Sequence, residues 1–121
     1  MTYKEQKNLF NHKSITTAIV TQVERQRNSS DKFVRYKFRA REINYTGLII
    51  TGILSSDRTE DARHLRRILI GKPFPVLFDS LDPDNNKLLL EKEEYTKFSI
   101  KRPDSLRQYF VIIDSIGHVQ D

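Results

Sequence analysis

The run Asp82-Pro83-Asp84-Asn85-Asn86, followed by Glu93, carries side-chain oxygens at the spacing of a calcium-binding loop. Counted from Asp82, the oxygens fall at loop positions one, three, five and twelve, with Leu89 at the apolar position eight. Other features oppose that chemistry. Lys87 stands where the sharp turn needs glycine and adds a positive charge. Leu90 offers only backbone at position nine, and the flanks read as strands rather than helices. An Asx-rich turn, whose short polar side chains bond their own backbone, accounts for the same residues. No metal ligand is assigned.

Basic residues form two groups. Arg35, Lys37 and Arg39 alternate along one stretch, beside Lys32 and Arg41. Arg63, Arg66 and Arg67 form the second, next to His64. Such clusters bind phosphates, and a sheet with aromatics on the same face also stacks bases. Tyr36 and Phe38, however, alternate with the first group and so face the other way; only Phe33 shares its side. Glu60 and Asp61 lie within helical reach of the second group and partly neutralise it. Two solvated faces explain these residues as simply as an interaction surface does.

The remaining residue types offer less. His12, His64 and His118 lack a partner at ligand spacing. No serine sits in a Gly-x-Ser-x-Gly elbow, and with 4 glycines there is no phosphate-cradling loop. Asp79 and Asp82 form a carboxylate pair with no sign of an apolar pocket to split their proton affinities. Cysteine is absent, which excludes disulfides and thiolate chemistry. The sequence therefore assigns no catalytic residue and no cofactor.

The chain of 121 residues fits one domain, with segments 1–13 and 115–121 polar enough to fray. Hydrophobic residues make up 37% and charged residues 31%, yet the apolar residues are spread widely enough for a core. No window approaches the roughly 18 apolar residues that span a bilayer. The expected location is cytoplasmic, or the cytoplasmic face of a membrane if the domain belongs to an anchored parent. A net charge of +5 and a pI near 9.6 favour nucleic acid, anionic lipid or acidic proteins as partners, although ordinary solubilising charge accounts for so modest an excess equally well.

These residues must be positioned by a few short elements. The stretch from Ile15 to Glu24 is β-branched and reads as a strand. Asn28 to Asp31 is a turn, and Phe33 to Ala40 alternates as a half-buried strand. Ile43 to Leu54 forms a third strand, joined by a hairpin at Arg41-Glu42, with Gly47 and Gly52 marking a bulge or coil. A helix begins near Asp57-Arg58-Thr59-Glu60, buries Ala62, Leu65, Ile68 and Leu69, and stops at Gly71. Phe74 to Phe78 reads as an edge strand because Pro73 and Pro75 cannot donate to a ladder. A turn over Leu81 to Asn86 and a short strand, Lys87 to Leu90, follow. Glu91 to Phe98 suits a helical turn. The segment 103–113 reads as a helix with Leu106, Phe110 and Ile113 on one side, despite a strand-like composition. The fold class is α+β: a small curled antiparallel sheet or barrel of about five strands with one or two helices.

Gly71, Pro75-Val76-Leu77-Phe78-Asp79, Asp82-Pro83 and Lys87-Leu88-Leu89-Leu90 follow one another in an order that resembles an uncharacterised bacterial domain family. Ala18-Ile19-Val20, Tyr36-Lys37-Phe38 and Tyr45-Thr46-Gly47 are similar to its upstream strands. The resemblance spans residues 15–98 and implies a small β-domain, often tethered to membrane helices, with no assigned activity. Ser80 in place of proline, the lack of an apolar span and the inserted helix are departures from it.

The reading that follows is a non-enzymatic protein-interaction or accessory module, with a homodimer through the sheet edge as one form of partnership. Its rivals are a nucleic-acid-binding barrel, with weak and non-specific binding, and a small enzyme whose site is assembled by tertiary contacts.

Overall fold

The computed structural model describes residues 2–25, 32–51, 64 and 67–119, with side chains to residue 114 except that of Arg25. Helix α1 (Tyr3–Asn11) precedes strands β1 (Lys13–Arg25), β2 (Lys32–Ala40) and β3 (Ile43–Thr51). Then come β4 (Pro73–Asp79), β5 (Asp82–Leu88), α2 (Lys92–Lys97), a 3-10 turn (Asp104–Leu106) and α3 (Arg107–Val119). His64 and 67–69 are also helical.

The alternation in β2 governs the sheet. Val34, Tyr36, Phe38 and Ala40 are buried, while Arg35, Lys37 and Arg39 are exposed, as the sequence predicts. The β2–β3 turn places Arg41 and Glu42 at φ 52° and 65°, the left-handed pair that a two-residue hairpin uses. Strands run antiparallel in the order β3-β2-β1-β4-β5. β1 serves two ladders: its first half pairs with β4, from Lys13 opposite Asp79 to Ile19 opposite Pro73. Its second half pairs with β2, from Ala18 opposite Phe38 to Arg25 opposite Lys32. A bulge at Thr21, between Val20 and Gln22, adds the bend that lets one strand do both.

That bend curls the sheet into a nearly closed barrel. Tyr36 lies directly opposite Gly47 in the β2–β3 ladder, and its hydroxyl donates to Asn86 Oδ1 on β5. A Cβ at Gly47 would collide with the Tyr36 ring and with Asn86 Oδ1. The glycine is needed for space; the bulge expected of it lies at Thr21 instead. Gly52 falls outside the described residues.

Two strand assignments change. β4 lies between β1 and β5, so it is interior, not the expected edge. Its prolines survive because the N and O of one strand residue point to the same side. Pro75 O accepts from Leu89 N at 3.0 Å, just beyond the end of β5, so the missing N–H of Pro75 faces Leu89 O, which accepts from the Tyr95 hydroxyl at 2.7 Å instead. The expected turn over Leu81 to Asn86 is confined to Ser80-Leu81, and β5 begins at Asp82. Phe78 opposes Asn86 while the next residue, Asp79, already opposes Asp82, so 83–85 bulge out. Asn86 Nδ2 satisfies the carbonyls of Pro83 and Asp84, at 3.0 and 3.2 Å. The turn chemistry is real, but it is folded into a strand.

Helices cover one side. α1 occupies the segment that polarity marks as prone to fray. Thr2 accepts from Glu5 N while the Glu5 carboxylate accepts from Thr2 N, a capping box legible as Thr-x-x-Glu. Those bonds hold the Glu5 carboxyl below its ordinary pKa. α1 lies across β1, β4 and β5, with Leu9 fully buried. The helix before β4 ends as expected: Leu69 is buried and Gly71 takes φ 82°. Its proposed cap at Asp57 to Glu60, with Ala62 and Leu65, lies outside the described residues, as does the turn at Asn28 to Asp31. α3 buries Tyr109, Phe110 and Ile113, with Phe110 and Tyr109 edge-on to Phe74 at 6.1 and 5.9 Å. Helix wins over the strand-like composition of 109–113 because the 3.6-residue stripe aligns Leu106, Phe110 and Ile113 on one core-facing side.

Gly47→Ala should lower stability by about 1–3 kcal/mol through overpacking. Urea denaturation of Gly47→Ala, Tyr36→Ala and the double variant checks the origin: the two costs should combine to less than their sum. Strict additivity would mean that the ring and the glycine do not share this space.

Candidate functional site

The outer face of the sheet is treated differently at its two ends. Over β4 and β5 it is covered by α1, and Leu77 is fully buried. Around β2 it is open. Arg35, Lys37 and Arg39 stand in a row along β2, opposite Leu48, Thr46 and Asn44 of β3. Successive members of this row are about 6.6–6.8 Å apart by strand geometry. Leu48 and Ile50 are 42% and 56% exposed beside them, and Phe33 is half-buried at the same end. Arg35 Nε lies 3.7 Å from Glu24 Oε1, and Arg39 reaches only the carbonyl of Glu42, at 3.4 Å. Among the described residues, Lys37 and Arg39 form no ion pair.

A recess of about 430 Å³ opens on this face at the Thr21 bulge. Arg35, Lys37, Thr21, Thr46 and Leu48 line it. Tyr36 and Phe38 are turned into the core, with 1% and 4% exposure, so they offer no ring to a ligand outside. Burial also pushes the Tyr36 phenol well above its ordinary pKa, so it stays protonated and remains a donor to Asn86.

Of the second basic group, Arg67 is exposed, while Arg63 and Arg66 lie outside the described residues. The structure therefore brings Arg35, Lys37 and Arg39 together and leaves the second group undecided. Sequence reasoning missed the partners across the ladder: Thr46, Leu48 and Ile50 share the basic face. Pairing register, which a single strand does not encode, puts them there.

Elsewhere the oxygen-rich run becomes part of β5. Asp82 and Asp84 are exposed, Asn85 donates to the carbonyl of Glu5 at 2.8 Å, and Asn86 is spent on its own backbone and Tyr36. Asp79 is buried, accepts from Leu81 N at 2.9 Å, and lies 3.5 Å from His12 Nδ1 at the end of α1. Ser80 N donates to His12 O at 2.8 Å, which ties the β4–β5 turn to the end of α1. Lys87 Nζ pairs with Glu94 at 2.7 Å, and Arg102 makes a two-pronged bond to Asp114 at 3.0 and 2.9 Å. The Arg102 guanidinium also lies over the Phe110 ring, 4.8 Å from its centre. Among the described residues, no helix is long and apolar enough to cross a membrane. No family model, curated protein or solved structure matches the chain.

Glu91, at the start of α2, has its carboxyl pKa raised by burial, then by Glu94 and Glu93, with Lys87 opposing. A raised carboxyl stabilises the fold below its unfolded pKa, and that contribution is lost as pH rises through the folded value. Glu91→Gln should thus match the parent's stability near pH 3, about a unit below ordinary carboxylates, and exceed it at about pH 7. Thermal unfolding at the two pH values measures this, and an identical difference at both would contradict it.

Proposed function

We propose that this chain is a non-enzymatic interaction module that docks an acidic partner protein on the open β1–β2–β3 face. The observation that carries the reading is the row Arg35, Lys37 and Arg39, flanked by exposed Leu48 and Ile50 and uncovered by any described helix. Arginine beside exposed apolar side chains is the composition of protein interfaces. Like charges at alternate positions of a strand repel one another, and an acidic partner relieves that repulsion. β4 is interior, so pairing of two copies through Phe74 to Phe78 is not part of the reading.

One observation favours a second reading. Five-stranded, partly open barrels of the OB type bind oligonucleotides on the face of their second and third strands, and β2–β3 is the open face here. Against it, Tyr36 and Phe38 are buried, which leaves only the half-buried Phe33 of β2 on the basic face to stack a base.

Fluorescence anisotropy separates the two. Neutralising three phosphates of a single strand predicts a loss of about 20-fold in affinity between about 50 and 200 mM salt. Single-stranded and duplex oligonucleotides should bind weakly at the lower salt and be released at the higher. Submicromolar binding that persists at the higher salt, and is lost in Arg35→Ala or Arg39→Ala, would place nucleic acid first.

A further inference from the structure

We infer that the recess at the Thr21 bulge seats one carboxylate side chain of an extended acidic segment; this rests on the interaction-module reading above. The bulge interrupts the β1–β2 ladder at the point where Arg35 and Lys37 leave β2, and bulges commonly re-aim side chains at sites. The resulting space, about 430 Å³, falls at the small end of ligand pockets, roughly 300–1,000 Å³.

Its walls suit one chemistry. Arg35 and Lys37 are the charged residues of the lining, and both are cationic. Thr21 and Thr46 supply hydroxyls, and Leu48 supplies an apolar wall for the methylene stem of a Glu. A planar guanidinium beside an ammonium holds a carboxylate with charge-assisted bonds. Glu24 reaches Arg35 only at 3.7 Å and does not line the recess, so it does not fill the role from within. The strand repeat then extends the site. An extended segment advances by about 6.6–6.8 Å every two residues, as β2 does. Acidic residues at alternate positions would therefore place one carboxylate in the recess and the next beside Arg39.

The nucleic-acid alternative is weaker here. The recess is lined by hydroxyl, cationic and aliphatic groups, and its one aromatic lining residue, Tyr36, is 1% exposed with its ring turned into the core, leaving no face on which a base could stack.

The test uses the full chain and two labelled nonapeptides, one with Glu and one with Gln at alternate positions. At about 150 mM salt, where a Debye length of about 8 Å suppresses loose attraction, the Glu peptide should bind and the Gln peptide should not. Arg35→Gln or Lys37→Gln should each weaken the Glu peptide tenfold or more, and Arg39→Gln threefold or less. Backbone amide NMR shifts should concentrate at Thr21, Thr46 and Leu48, a readout that needs no variant. Equal losses from all three substitutions, with shifts spread along β2 and β3, would overturn the recess and leave the face reading standing. Binding unchanged by Arg35→Glu, Lys37→Glu and Arg39→Glu together, or absent throughout, would overturn both. An oligonucleotide that displaces the Glu peptide and shifts the same amides more strongly would overturn the carboxylate assignment.

Discussion

The Tyr36 side chain crosses Gly47 to reach Asn86, and this crossing joins β2, β3 and β5 where, among the described residues, no backbone ladder links the two outer strands. A sheet of five strands that stayed open would leave long unpaired edges on β3 and β5. Closing it fully would require ladder bonds between them. Here a phenol does the joining. Its ring fills the space left by a missing Cβ, and its hydroxyl donates to a side-chain amide. The core arranges itself around that ring. Phe38 lies beside it at 6.4 Å, and Tyr45 and Phe78 pack on Phe38 at 5.5 and 5.8 Å.

Because the barrel aromatics are spent on closure, the outside of β2 and β3 carries what remains: cations, threonines and a few aliphatics. The other outer flank is consumed by α1. There the buried Leu9, the Asn85 bond to Glu5 and the bond from Ser80 N to His12 O fasten the helix to β4 and β5. One flank is sealed with polar and apolar contacts, and the other is left as a charged surface. The functional proposals concern the second flank because its row of cations is exposed and, among the described residues, Lys37 and Arg39 form no ion pair.

Sequence periodicity was a sound guide wherever one strand or helix decided its own faces. It separated Tyr36 and Phe38 from Arg35, Lys37 and Arg39, and it placed Leu106, Phe110 and Ile113 together on a helix whose composition suggested a strand. It misjudged segments where local chemistry and tertiary position disagree. Pro73 and Pro75 read as an edge, yet β4 is interior, and the Leu89 carbonyl that Pro75 cannot serve accepts from the Tyr95 hydroxyl. The Asp and Asn residues of 82–86 read as a turn, yet a bulge absorbs their turn-like bonding within β5. The capping box at Thr2 and Glu5 was present in the sequence, but a polar segment gave little apolar signal beside it.

What the sequence determined by itself was composition and alternation: a basic, cysteine-free chain with an amphipathic second strand and turn signals at its hairpins and helix ends. These follow from side-chain chemistry and from the period of the local backbone, so they need no partner strand. What only the tertiary structure decided was register and closure. Leu48 stands beside Arg35 because β2 and β3 pair in one register, and the recess exists because β1 carries its extra residue at Thr21. Gly47 became indispensable through Tyr36 and Asn86, residues far from it in the chain. Contacts between segments set all of these, and no local pattern records them.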